Sequence, residues 1–419
     1  MGRSRSWLVV AGIGAVVIGC ESDPTAVPPE SGNVILDFAR CIPSDRPTWL
    51  AYQNGTEAWK VATPSGGQYT FNVTAGKAGV AWVTDPGAIL SYVLVHYRSQ
   101  AELIDQGPDQ FCAPPPSLKN LTISTANLPV DQSASISLGG GSGSASFQSP
   151  IARVSGVTDG THDLVASTRS VSGATGVDRI FIRRDVNTTP IPSGGLLGFA
   201  VDFADSTSAF APATARVSIG GLASGEQVAH GMAYLVESSC QRASLDFFDL
   251  SPIASFLASG VPLGKQRSSD LHSLVVIANS GEASAYRQIT EIFPTLTDRT
   301  VTLPAPIPVF TPSTVAGAYK TLRFQLSLPS HANKVVIAGY SAPATTPSKV
   351  VNIAATSGWL SGTTVDLTMP IFTGLPGWHD TWVPASDATV MWSLLAAGST
   401  TGNSCSAGVS TVVSRNGSL

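Results

Sequence analysis

At 419 residues the chain is longer than one core of ordinary size, and length alone suggests two to four domains. A formal net charge of -4, with no cluster of Lys and Arg after the first residues, argues against nucleic acid as a partner, because binding it needs a cationic footprint that displaces counterions. Charged residues are only 12% while Gly and Pro number 40 and 29, so hydroxyl and amide side chains supply the wetted surface of a strand-and-turn chain; 43% hydrophobic content excludes global disorder.

In chain order, Arg3 and Arg5 precede an apolar run from Trp7 to Gly19 that is too short to span a bilayer as a helix. Val17-Ile18-Gly19-Cys20 closes it, and this ending resembles a bacterial lipobox. The resemblance covers residues 1-20. It implies export, diacylation of Cys20 on sulfur, and Cys20 as the first residue of the mature chain. The partner it implies is a cell-envelope membrane, inner or outer, gripped by two acyl chains, the number that makes a stable anchor. No later stretch holds eighteen apolar residues in a row, so the body is expected to be water-soluble and held by lipid alone. Residues 21-31 (ESDPTAVPPES) are polar and carry prolines, as a flexible tether does.

Four cysteines remain, Cys41, Cys112, Cys240 and Cys405, an even number for an oxidising compartment. Of the three pairings, Cys41 with Cys112 is favoured because both fall in one unit, which leaves Cys240 with Cys405. There is no CxxC unit, and no metal site is predicted.

Alternation begins at Gly32, and four β modules are expected, at residues 32-116, 117-193, 194-310 and 311-419. In the first, Asn54-Gly55 signals a two-residue hairpin that pairs Leu50 with Trp59 and Tyr52 with Glu57, putting Leu50, Tyr52 and Trp59 on one face. A second hairpin joins Gln68-Val73 to Gly79-Val83, and Ser99-Asp105 suggests a short helical turn. In the second module Gly139-Gly143 has neither the Lys nor the following helix of a phosphate loop, and it reads as a hairpin tip. In the third, Ser251-Gly260 suggests a short helix and Leu274-Ala278 a central strand. Pro304-Pro312 is the last Pro-rich seam. Turn signals every eight to twelve residues predict an all-β chain of tandem β-sandwich modules of the immunoglobulin or fibronectin kind.

No Gly-x-Ser-x-Gly elbow, His-Glu-x-x-His pair or EF-hand loop occurs, and six histidines are scattered without metal-ligand spacing, so no catalytic residue and no cofactor is assigned. His162-Asp163 and His379-Asp380 set imidazole beside carboxylate, but neighbours on a strand face opposite ways and need a distant nucleophile. Beyond Trp7, every tryptophan lies in the outer modules. Trp378, His379 and Trp382, in a loop flanked by Pro376 and Pro384, together with Trp49, are the candidate ligand-contacting residues. The sequence therefore predicts a lipid-anchored binding or scaffold protein whose ligand is a polysaccharide or a protein. The alternatives are a carbohydrate-active surface lipoprotein and a hydrolase with a site assembled from distant residues.

Overall fold

The structure is a computed structural model, and it describes residues 32-39, 41-42, 45-84, 90-104, 118-170, 176-236, 241-280, 285-329, 333-343, 345-360, 362-400 and 406-419. The expected signal and tether, with Cys20, Cys112, Cys240 and Cys405, lie outside the described residues. Within them the fold is all-β.

The first segment supplies β1 (Gly32–Asp37), β2 (Trp49–Asn54), β3 (Lys60–Val61), β4 (Gln68–Val73), β5 (Lys77–Thr84), β6 (Leu90–Ser99) and the short helix α1 (Gln100–Ile104). The second supplies β7 (Lys119–Ala126), β8 (Gln132–Leu138), β9 (Gly141–Ser146), β10 (Ile151–Val157), β11 (Thr161–Ser170), β12 (Arg179–Asn187), β13 (Val201–Asp202) and β14 (Ala209–Phe210). The third supplies β15 (Ala213–Gly220), β16 (Gln227–Val236), β17 (Gln241–Ser251), β18 (Ser255–Gly260), β19 (Leu271–Asn279), β20 (Ala285–Phe293) and β21 (Arg299–Thr302). The fourth supplies β22 (Ser313–Val315), β23 (Thr321–Ser327), β24 (Asn333–Ala342), β25 (Ser348–Thr356), β26 (Thr364–Thr368), β27 (Met391–Ser399) and β28 (Gly408–Ser418).

A twelve-stranded sheet is the spine, in the order β17-β16-β19-β20-β28-β27-β24-β25-β6-β5-β2-β3. It takes strands from the first, third and fourth segments, so these are not laid out as separate beads on a string. Two junctions join them. Thr411 of β28 pairs antiparallel with Ile289 of β20, and β25 runs parallel to β6 with Asn352 opposite Leu94. Each junction removes two edges that separately closed sheets would leave exposed.

Three smaller sheets complete the sandwiching. The β1-β4 pair brings Val34, Leu36, Tyr69, Phe71 and Val73 into one core with Leu50, Val80 and Trp82. The alternate residues of the same spine strands, Trp49, Ala51, Ala81 and Val83, enter a different core with Leu322, Phe324, Val365 and Leu367 from the sheet β22-β23-β26. Strand β5 is buried on both faces, which explains its unbroken run Ala78-Val83. The sheet β18-β15-β21 covers β16, β19 and β20 at the other end of the spine.

The second segment forms its own eight-stranded sheet, β13-β7-β10-β9-β8-β11-β12-β14, and the chain leaves it only after Phe210, later than the Gly194 seam. Its edge strands end at Asp202 and resume at Ala209, so the connecting residues can separate them by about 25 Å at most. Flat, the eight strands would span about 34 Å. The sheet therefore rolls around its own core of Leu121, Ile136, Val154, Leu164 and Phe203. Gly139 and Gly140, at φ 55° and 83°, make the tight turn between β8 and β9, so a hairpin tip forms as expected but is shorter than the Gly139-Gly143 run: Gly141 and Gly143 already pair with Leu138 and Ile136 on the ladder.

Several local expectations are corrected. The two-residue Asn54-Gly55 hairpin does not form: Gly55 is at φ 59°, but Asn54 stays on β2, the turn closes over Gly55-Thr56 with Glu57 N donating to the Asn54 carbonyl at 3.0 Å, and β2 meets β3 with Tyr52 opposite Lys60 instead of Glu57. A longer loop lays Trp59 over Gly79, where a Cβ would come within 2.8 Å of the indole. Trp59 consequently packs on the core of Trp49, opposite the core of Leu50. Strand β4 pairs with β1, not β5, because its apolar face is needed to cover the spine. Residues 255-260 are strand β18, not helix, since β15 offers them a full antiparallel ladder. Leu271–Asn279 is a central strand, as expected.

Candidate ligand-binding seam

The first and last segments meet through tryptophan. Trp49 sits on β2, and its ring lies 5.0 Å from Trp378, 5.1 Å from Phe372 and 6.5 Å from Trp382. Its indole N–H donates to the Pro376 carbonyl at 3.1 Å. Trp378 donates to Asp380 Oδ1 at 2.7 Å, and Thr373 Oγ1 donates to the same oxygen at 2.9 Å. Both indole N–H groups are therefore satisfied internally, and Trp49 and Trp378 are only 5% and 8% exposed. The expectation that they form a wet contact surface is corrected: each is the other's packing partner, which neither local sequence could show.

The structure does bring all four candidate residues together. His379 is exposed, with its ring edge-on to Trp382 at 4.8 Å, while the adjacent carboxylate of Asp380 turns to Trp378 and Thr373. Trp382 is half-buried and borders an open hollow of about 530 Å³, lined by Ser91, Thr345, Thr346, Pro347, Lys349 and Thr381.

A second hollow, of about 520 Å³, opens farther along the same seam. Tyr97 of β6 and Trp359 of the turn after β25 lie together on its wall, with ring centroids 4.7 Å apart and planes inclined at 35°. Gln53 of β2 and Thr56 of the loop after it line it, together with Arg323, Asp366 and Thr368 of the three-stranded sheet. Arg323 binds Asp366 through two N–H groups at 2.8 and 2.5 Å, so the pair is charge-compensated and the carboxyl is held below its ordinary range.

One carboxylate sets the position of Trp359. Ser99-Gln-Ala-Glu102 is a capping box: Glu102 accepts from Ser99 N and Oγ at 2.8 Å each, and Ser99 Oγ accepts from Glu102 N at 3.3 Å. Glu102 also accepts from Thr356 Oγ1 at 2.5 Å and from Gly358 N at 3.3 Å. Lys77 Nζ donates to the Trp359 carbonyl at 2.7 Å. The helix that ends the first segment thereby holds the turn that carries Trp359 in the last. The Ser-x-x-Glu spacing was a legible signal for the helix start, but nothing nearby named its second partner.

His162 and Asp163 face opposite ways, as expected on a strand. His162 lies against the Gly139 turn, within reach of Thr158, whereas Asp163 is buried among cations. Arg184 binds Asp163 at 2.5 Å and Asp270 at 2.7 Å; Tyr234 donates to Asp270 at 2.6 Å, and Arg267 N donates to it at 2.7 Å. The two carboxylates raise the Arg184 pKa against a large desolvation cost. This network fastens the rolled second sheet to the third segment. It is a clamp whose distant members, Tyr234, Arg267 and Asp270, sequence reading did not identify.

Cys41 is buried with Phe38, Trp82 and Leu103, apart from the seam. Among the described residues no group of three or more His, Cys, Asp or Glu is placed to hold a metal ion, and no helix is long and apolar enough to cross a membrane. A scan against protein-family models returns no match to the chain, and a search of curated proteins finds none similar to it.

Proposed function

We propose that this is an exported, lipid-anchored β scaffold that binds an extracytoplasmic ligand by stacking and hydrogen bonding. The observation that carries this reading is the pair of open, polar-lined hollows along the seam, each bordered by a half-buried tryptophan, Trp382 or Trp359. Indoles held half-wet beside hydroxyl and amide groups are the surface expected of a site for an amphipathic ligand. The scaffold would hold them rigidly, since both hollows are built across paired strands.

Attachment through Cys20 belongs to the same reading. It is tested by feeding labelled palmitate to cells that express the chain: label enters the wild type and is absent from Cys20→Ser. A disulfide between Cys41 and Cys112 also belongs to it. The burial of Cys41 in the core that takes Leu103 supports it, because the chain runs from that point on to Cys112. Mass mapping of the non-reduced protein tests the pairing.

Binding itself is tested by titrating the full-length protein, in a detergent without a sugar headgroup, with polysaccharide fragments and following tryptophan emission. A saturable change supports a binding protein. A flat response to every fragment, with no partner captured by crosslinking on cells, leaves only a spacer.

A further inference from the structure

We propose that the hollow walled by Tyr97 and Trp359 is a subsite for a neutral saccharide unit. The proposal rests on the binding reading above and names its site and ligand class. Its volume, about 520 Å³, lies within the range of small-molecule sites. What selects the ligand is the lining.

A pyranose presents two kinds of surface, an apolar C–H face and a rim of hydroxyls that both donate and accept. Tyr97 and Trp359 supply an aromatic wall for the first, and Trp59 backs Tyr97 edge-on at 6.3 Å. Gln53, Thr56, Thr368, Arg323 and Asp366 supply donors and acceptors for the second. Gln53 is already oriented, its amide N–H donating to the Glu57 carbonyl at 2.7 Å. Charge separates a neutral sugar from an ionic ligand. Among the described residues of the lining the ionic groups are Arg323 and Asp366, each paired with the other, so the lining itself presents no uncompensated charge; Lys77, whose Nζ lies 5.8 Å from the Trp359 ring, donates to the Trp359 carbonyl.

The wall is also set in advance. Gly358 has no space for a side chain: a Cβ there would come within 2.5 Å of Glu102 and 2.7 Å of Ser99 Oγ. With Glu102 gripping Thr356 and Gly358, and Lys77 gripping the Trp359 carbonyl, little ordering remains to be done on binding. Glu102 is thus a positioning residue.

The test is calorimetric titration of the full-length protein with neutral cello-, xylo-, malto- and chito-oligosaccharides, and with anionic galacturonate oligomers as the contrast. The expected result is saturable binding of a neutral series, weakened about tenfold or more by Trp359→Ala and measurably by Gln53→Ala, with Val130→Ala, an exposed position of the second segment, unchanged. Gln53 is half-buried, and its variant gives a second probe of the site beside Trp359→Ala; unfolding curves of both check for a folding defect directly. Neutral binding lost in Trp382→Ala but kept in Trp359→Ala overturns this site while leaving the binding reading intact. Binding of galacturonates alone overturns the ligand class. No binding of any oligosaccharide overturns the saccharide subsite, and the binding reading then stands or falls separately on the crosslinking experiment.

Discussion

The rings of Trp49 and Trp378 meet at 5.0 Å and 63°, and the Trp49 indole N–H closes on the Pro376 carbonyl beside them. A residue of the second strand is thereby packed against the loop before the last two strands, and the beginning and end of the described chain share one core. Trp49→Ala removes the central ring of that seam and leaves the Pro376 carbonyl without its donor. It should cost about 3–5 kcal/mol. Urea unfolding monitored by far-UV circular dichroism reads this directly; a loss below about 1 kcal/mol contradicts the packing described.

The Asp270 carboxylate is the hub of the clamp between the second and third segments, accepting from Arg184, Tyr234 and the Arg267 backbone. Asp270→Ala leaves Arg184 with Asp163 as its one remaining carboxylate and removes the acceptor of Tyr234 and of the Arg267 backbone, and should destabilise by about 1.5–3 kcal/mol. Salt should barely change that figure. The Arg323–Asp366 pair is about two-fifths exposed on both sides, so its removal should cost about 1 kcal/mol or less and fade at high ionic strength. Measuring both variants at low and high salt separates a buried clamp from a surface pair.

Burial pulls the pKa of His272 down to about 4, and that of His230 to about 4. Both imidazoles are therefore held neutral in the fold, while in the unfolded chain they titrate near 6.5. The contribution is full above about pH 6.5, falls as the unfolded state takes up protons, and levels off below about pH 4. For His272, which is 0% exposed, the depression corresponds to roughly 3 kcal/mol. Urea midpoints should decline steadily through this window, and His272→Gln should flatten part of the decline. A midpoint constant from neutral pH to about 4.5 contradicts it.

Gly358→Ala forces a methyl group onto Glu102 and Ser99 and must displace the turn that carries Trp359. We expect a stability loss of about 1–3 kcal/mol, as for other overpacked sites, together with weaker oligosaccharide binding. Glu102→Gln keeps the size but weakens four accepted hydrogen bonds, and it should loosen the same turn without blocking it. Hydrogen exchange at residues 356–360 checks both variants: each should exchange faster than the wild type.

What was legible in the chain was mostly local. Alternation found the strands, and the tight turn at Gly139-Gly140 followed from residue type. The partners of those strands were not legible, because period-two alternation says which residues share a face and not which strand lies beside them. Strand β6 reads equally well as an edge or as a partner to β25, and only the buried faces of the whole sheet decide. The confinement of tryptophan to the outer segments was a true signal of long-range contact, but it read as two separate surfaces when it marked one seam. Trp59 illustrates the limit: a reversal near Gly55 was read from residue type, yet a loop longer than two residues moved the side chain to the other face of the sheet. For the binding seam, Trp49, Trp378, Trp382 and His379 were found as a group, while Trp359 and Tyr97 were not. Their importance depends on Glu102, whose capping-box spacing is local and whose grip on Gly358 is not.

The measurement that bears most directly on the account is hydrogen exchange of the full-length protein with and without the tightest-binding neutral oligosaccharide. Protection should appear together in peptides covering 53–57 and 97–102 from the first segment and 323, 356–360 and 366–368 from the last, since one groove is built from both. Protection confined to one segment, or centred on 345–349 and 381–382, would contradict a saccharide site held across the seam by Tyr97 and Trp359.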